Sequence, residues 1–421
     1  MKRRPLLLGA LAAAVAAVIW AKPRDRGENH SPYFEKLSEA LDATRQSKPT
    51  LVVDKSRLLA NVTTLKQHMQ GRFDYRVVVK SLPSLPLLQE IMAAADTRRL
   101  MLFHQPFINK VAAQLPDTDI LLGKPMPVAA AENFYAVFEG GAFDPATQLR
   151  WLLDTPERAQ QYAELAASLR QPMQACVEID VGLHRGGIQT DEDLIALLDI
   201  VSASEWLSFA GFMGYEPHIA KVPGDPIGHR DKAMAAYAHY IDVAKAHLGA
   251  AWPEDALLNA GGSPTYQYYN EGDFPFNELA AGSCLVKPTD FDLPSLADHT
   301  PASYIATPVL KTMDSVQIPG INIGPLQGWW NPNQARSFFT YGGWWKAKPE
   351  SPAGLVTNGV YGRSTNQEML NGSRRIDLSS DDWIFLRPTQ SEFVFLQFGD
   401  IAVYEDGAIT DFWPVFSETS A

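Results

Sequence analysis

The feature that most constrains this chain is a regular alternation of short apolar runs with helical stretches. Thr50–Lys55, Tyr75–Lys80, Arg99–Phe103, Asp119–Leu122, Leu149–Asp154, Ala175–Asp180, Ser208–Tyr215 and Ala256–Gly262 each read as a buried strand. Between them lie segments with apolar residues at helical spacing. Leu58, Leu59, Val62 and Leu65 mark one within Arg57–Met69, and His229–Leu248 is the longest. About eight strand–helix units in about 210 residues predict an α/β fold built as a parallel (β/α)8 barrel. A doubly wound open sheet would carry a G-x-G-x-x-G after its first strand, and none is there.

Past residue 279 the rhythm changes. Leu279–Val286, Tyr304–Thr312, Gly354–Val360, Trp383–Leu386, Phe393–Phe398 and Ile401–Tyr404 read as short strands between Gly, Pro and Asn turns. The expected organisation is a leader or anchor over 1–21, a polar linker over 22–31, the barrel over 32–278, and a C-terminal, mostly antiparallel β domain over 279–421.

The chain has 421 residues, 46% hydrophobic and 20% charged, enough for a sizeable core. Its net charge of −12, without a long basic run after residue 30, argues against nucleic acid or anionic lipid as partners of the folded body. Its two cysteines, Cys176 and Cys284, sit in apolar runs and read as buried free thiols. Residues 1–21, MKRRPLLLGALAAAVAAVIWA, have a basic start and an apolar run, the pattern of a secretory leader with a loose twin-arginine pair or of an uncleaved anchor. That pattern predicts a body in the periplasm, or anchored in the inner membrane and facing the periplasm.

The chemistry centres on YRVVVKS, residues 75–81. A lysine closing a buried strand places its amine beside a low-dielectric interior, which disfavours an ammonium and favours the neutral amine that attacks carbonyls. Taken alone, such a lysine more often snorkels to solvent. The other strand ends supply company for Lys80, because the C-terminal strand ends of such a barrel face one mouth. Glu178, Asp180, His184 and Arg185 fall in EIDVGLHRGGI; Tyr215, Glu216 and His218 fall in MGYEPHI; Asn259 to Tyr266 read NAGGSPTY. A Gly-Gly-Ser turn at the last of these strands is a candidate anion cradle. With a lysine on an early strand, it suggests pyridoxal phosphate, its phosphate in the turn and its aldehyde on the amine.

These motifs carry a family resemblance. TLVVDKSRLLANV, YRVVVK, EIDVGLHRGGI, MGYEPHI, NAGGSPTY, ELAAGS and the C-terminal GDIAVYEDGAITDFWPV resemble fold-type III pyridoxal-phosphate enzymes, the group with the alanine racemase N-terminal barrel. Their order is most similar to the D-threonine aldolase and D-serine dehydratase branch. The resemblance implies that Lys80 holds the cofactor covalently, that Gly261, Gly262 and Ser263 bind its phosphate, and that Arg185 and Tyr215 contact its ring. It implies a homodimer and a small amino-acid substrate. The implied activity is a lyase on small D-amino acids with a β-hydroxyl, with an amino-acid racemase or a non-catalytic carrier as alternatives. A racemase would need a second acid/base, for which Tyr341 and Tyr361 are candidates. The branch also uses a divalent metal, held by a His-x-Asp or His-x-Cys pair. Those positions fall on Gln390 and Glu392 here. They lack the imidazole, so a hard Mg²⁺ or Mn²⁺ site is expected to be absent or altered.

Overall fold

The computed structural model describes residues 22–314 and 324–417. The chain divides into two compact units. One comprises Val53–Ala302 with Gln390–Ile401 and Phe412–Ala421; the other comprises Ser303–Thr389, Ala402–Asp411 and the residues up to Val52.

The first unit is the barrel. Eight parallel strands close on themselves in chain order: β2 (Asp74–Val78), β3 (Arg99–Leu102), β4 (Asp119–Leu122), β5 (Leu149–Leu153), β6 (Met173–Ile179), β7 (Leu207–Gly214), β8 (Leu257–Ala260) and β9 (Glu278–Ala281). Apolar side chains such as Val77, Leu100, Ile120, Trp151, Val177, Phe212 and Leu279 are withdrawn from water along it. Burial on both faces of each strand makes the runs continuously apolar rather than alternating. The outer helices start where the chain supplies caps. Thr155 accepts the Arg158 amide, Thr190 that of Asp193, and Asp225 those of Ile227 and Gly228. Proline at the first turn of Pro156–Leu169 and Pro226–Leu248 costs no hydrogen bond there.

The structure shifts the barrel by one strand. The run expected as its first, β1 (Thr50–Asp54), belongs to the sheet of the other unit. The eighth place is taken by β9, which pairs in parallel with β2 and β8. Its four residues, Glu-Leu-Ala-Ala, are too short to declare their sheet by periodicity. The expected strand over Phe393–Phe398 is instead a 3-10 turn, Ser391–Phe393, running into further turns.

At the amino-terminal end the barrel is closed by charge. Arg76 is fully buried and gives its guanidinium to Glu278 at 2.5 and 2.8 Å, to Asp119 at 2.5 Å and to the Leu100 and Asp119 carbonyls at 2.9 Å. Asn259 donates to Glu278 at 2.7 Å, and Arg150 pairs with Asp119. Burial alone would push the Asp119 carboxyl up, but the Arg76 and Arg150 charges outweigh it and hold it down.

The second unit is built on a nine-stranded sheet. Besides β1 it contains β10 (Ser303–Met313), β11 (Arg336–Thr340), β12 (Ala347–Ser351), β13 (Val356–Thr357), β14 (Met369–Gly372), β15 (Trp383–Pro388), β16 (Ile401–Glu405) and β17 (Ala408–Trp413). The path runs β13-β14-β11-β10-β1-β16-β17, with β15 also on β10 and β12 on β15. Pairings β10/β11, β10/β15, β11/β14 and β12/β15 are antiparallel, as a mostly antiparallel β domain requires. Leu37, Ala40 and Leu41 of the helix Pro32–Ala43 pack on Val52, Tyr304, Phe385 and Tyr404.

The expectation of a membrane-anchored or periplasmic body is corrected. Among the described residues no helix is long and apolar enough to cross a membrane. The leader-like residues 1–21 lie outside the described residues.

Candidate active site

At the carboxyl ends of the barrel strands lies a cavity of about 460 Å³. Lys80, Arg185, Tyr215, Gly261, Gly262, Ser263, Gln390 and Glu392 all line it, together with Phe103, Asn259 and His218. Residues far apart in the chain are thus brought to one chamber by the barrel's closure.

Lys80 sits not on its strand but in the 3-10 turn Val79–Ser81 directly after β2. The amine expected to be buried is more open than that: the side chain is 42% exposed, and Nζ lies 3.1 Å from Glu392 Oε2. It also rests 4.7 Å from the centre of the Phe103 ring. Glu392 approaches Lys80 from 312 positions away in the chain, a pairing that leaves no local signature in the sequence.

The glycine turn follows β8. Gly261 has φ +85°, and a Cβ there would lie 2.5 Å from Leu279 Cδ2. At Gly262 a Cβ would lie 2.9 Å from the Tyr215 ring. Leu279 and the Tyr215 ring therefore leave no room for a side chain at either glycine. Ser263 fastens it: its Oγ accepts the Gly282 and Cys284 amides at 3.1 Å. With both lone pairs so engaged, the hydroxyl proton remains as a donor. Burial pushes the Tyr215 phenol above its ordinary range, against the pull of Arg185, whose guanidinium lies 5.0 Å from the ring centre.

Arg185 rides on a loop that Asp180 shapes. Asp180 Oδ1 accepts the Gly182 and His184 amides at 2.9 Å, and Oδ2 pairs with His184 Nδ1 at 2.8 Å. Burial acts upward on the Asp180 carboxyl, but these bonds and the His184 charge hold it below its usual range. Glu178 behaves oppositely: burial, then the neighbouring Asp154 charge, push it up to about 7. His218 has a buried Nδ1 without a partner, and burial pushes its imidazole down.

Gln390 and Glu392, the positions expected for a metal pair, each have another partner here. The Gln390 amide donates to Asp290 at 3.1 Å, and Glu392 is engaged by Lys80. Among the described residues no group of three or more His, Cys, Asp or Glu side chains is placed to hold a metal ion. Tyr341 and Tyr361 lie on the β-sheet unit, 44% and 53% exposed. The two cysteines are free and buried, as expected.

Residues 53–290 match the family described as alanine racemase, N-terminal domain. No curated protein sequence matches. Among solved structures, D-threonine aldolase from Filomicrobium marinum superposes with a TM-score of 0.70 at 16% identity, covering 87% of this chain and 94% of that one. D-threo-3-hydroxyaspartate dehydratase from Delftia sp. HT23 gives 0.67 at 15% identity, covering 88% and 98%. Alanine racemase from Bacillus anthracis gives 0.64 at 14% identity, covering 88% and 98%. At such identities these likenesses speak for the fold.

Proposed function

The chain belongs to the alanine racemase N-terminal domain family, and on that premise we propose that it is a pyridoxal-phosphate-dependent lyase acting on small D-amino acids that carry a β-hydroxyl. The observation that carries the reading is the meeting of Lys80 and the Gly261–Gly262–Ser263 turn in one cavity. β2 neighbours β9, and β9 neighbours β8, so the amine-bearing strand and the turn-bearing strand are two steps apart in the barrel. At about 4.8 Å per step the two strand ends stand about 10 Å apart, a span that suits a small aromatic phosphate ester.

The residues fit the cofactor. Two adjacent glycines keep side chains off the turn, so its backbone can approach an anion, and Ser263 retains a donor. Bound pyridoxal phosphate supplies an electron sink for a bond broken at the substrate Cα. Lys80 is the amine that would hold its aldehyde. Gly261, Gly262 and Ser263 would hold its phosphate, with Tyr215 and Arg185 beside the ring. Glu392 keeps the resting amine inside the cavity by charge. With Lys80 holding the aldehyde, Glu392 would stand beside the reacting nitrogen and would offer an acceptor to a substrate hydroxyl. This carboxylate beside the amine favours a β-hydroxylated substrate over simple racemisation. The homodimer implied by the family belongs to the same proposal. Trp329, Trp344 and Tyr361, exposed on the β-sheet unit, offer apolar surface for a second copy.

The test is a product assay on the protein loaded with pyridoxal phosphate, using D-threonine, D-serine, D-3-hydroxyaspartate and both alanines. Carbonyl products from a β-hydroxylated D-amino acid are expected. Interconversion of the alanines without carbonyl product would replace the lyase by a racemase. No turnover of any of them would leave a carrier.

A further inference from the structure

The carboxylate that follows Tyr215 has a different setting from the others at the mouth. Glu216 is fully buried. Its Oε1 accepts the Thr265 hydroxyl at 3.2 Å and the Tyr269 phenol at 3.0 Å, while Oε2 has no partner. Thr265 belongs to the turn that begins at Gly261: its amide donates to the Gly262 carbonyl at 2.9 Å. Glu216 thus lies behind the glycine turn and grips it through a hydroxyl.

Among the described residues no cation is paired with this acid. The titratable groups that face it are Tyr215 beside it in the chain, Tyr237 from the helix Pro226–Leu248, and Tyr269 from the turn Tyr266–Tyr269. Burial raises all three phenols, so they stay neutral around neutral pH. A charged Glu216 and an anion on the turn would repel each other across a dry interior, where such repulsion is weakly screened.

We propose that Glu216 is a positioning residue of the anion-binding turn that works as a neutral acid, so that seating an anion on Gly261–Ser263 takes up a proton at Glu216. Burial already pushes this carboxyl up to about 7, against the hydrogen bonds from Tyr269 and Thr265. A second negative charge nearby moves it further in the same direction. The inference rests on the reading of the glycine turn as a phosphate cradle, and it makes Glu216 the residue through which pH acts on that cradle.

Sulfate is the probe, since it remains a dianion across the range from about pH 6 to about pH 8.5. Calorimetry in two buffers of different ionisation enthalpy gives both affinity and proton uptake. For the wild type, affinity should fall about tenfold over this range, with proton uptake at its upper end, the tenfold corresponding to one pKa unit of coupling. Glu216→Gln, neutral and of the same shape, should remove both the slope and the uptake. His218 lines the same cavity, so His218→Asn is the control and should keep both. Thr265→Val should weaken sulfate at every pH by cutting the link to the turn. Wild-type binding that is independent of pH, absent, or unaccompanied by proton uptake would overturn the proposal. So would a Glu216→Gln protein that keeps the wild-type slope. Should that variant fail to fold, loss of proton uptake in His218→Asn would overturn it alone. Failure of the cofactor reading shows separately, as absence of a Lys80-dependent visible band with pyridoxal phosphate.

Discussion

The two ends of the barrel handle charge in opposite ways. At the amino-terminal end, Arg76 meets Glu278 and Asp119, and Arg150, Arg99 and Asn259 complete the set. Opposite charges meet there, and every named carboxylate has a cation. At the other end, Glu216 has an oxygen without a partner, His218 has a nitrogen without one, and two carboxyls are pushed up to about 7. A buried charge is tolerated when paired and is costly when not. The end where buried carboxylates are paired therefore reads as structure, and the end where Glu216 and His218 keep buried atoms without partners reads as chemistry, since perturbed groups gather where a ligand is to be bound.

The largest effect should come from Lys80→Ala, which removes the amine while leaving the paired end untouched. The visible band with pyridoxal phosphate and all turnover should vanish, while urea unfolding stays close to wild type. Next is Arg76→Met, which takes from Glu278 and Asp119 their fully buried partner and leaves them Arg99 and Arg150. It should cost about 3–5 kcal/mol in urea unfolding, with any folded fraction still forming the band. If instead the band is lost with little change in stability, the contrast between the two ends is wrong.

Glu216→Gln should come third, and its sign depends on pH. The folded-state carboxyl is raised to about 7 from an ordinary value near 4.3. The wild type thus holds its full contribution below that ordinary value and loses it as pH rises through about 7. The variant should be more stable than wild type at about pH 8, by on the order of 2 kcal/mol, and should show no such gain at about pH 4. Thermal unfolding at the two pH values checks it.

Gly262→Ala pushes a methyl into the Tyr215 ring. It should weaken pyridoxal phosphate about tenfold, about 1.4 kcal/mol, with little change in unfolding. The smallest effect is expected at Arg98–Asp117, an ion pair whose side chains are 70% and 76% exposed. Removing it should change stability by at most about 0.5 kcal/mol, which sharpens the comparison by showing that pairing without burial counts for little.

The alternation of apolar runs made the barrel legible, because strands buried on both faces leave a strong mark in the chain. The membership of two short strands was not legible. Thr50–Asp54 and Glu278–Ala281 are both apolar enough for either sheet, and only tertiary pairing decides between them. Lys80, Arg185, Tyr215 and the glycine turn could be named as candidates because each follows a recognisable strand. The Lys80–Glu392 pair could not, since the carboxylate arrives on a turn that breaks an expected strand. Glu216 was visible as a residue of MGYEPHI, but its burial behind the turn depends on Thr265 and Tyr269 some fifty positions on.

The central claim is a bond between one amine and one aldehyde, and reductive trapping tests it most directly. The protein is mixed with pyridoxal phosphate, reduced with borohydride, digested and mapped by mass spectrometry. A single phosphopyridoxyl adduct on Lys80, with no corresponding adduct when the phosphate-free aldehyde is supplied at the same concentration, is the predicted result. Adducts scattered over surface lysines with Lys80 unmodified would contradict it.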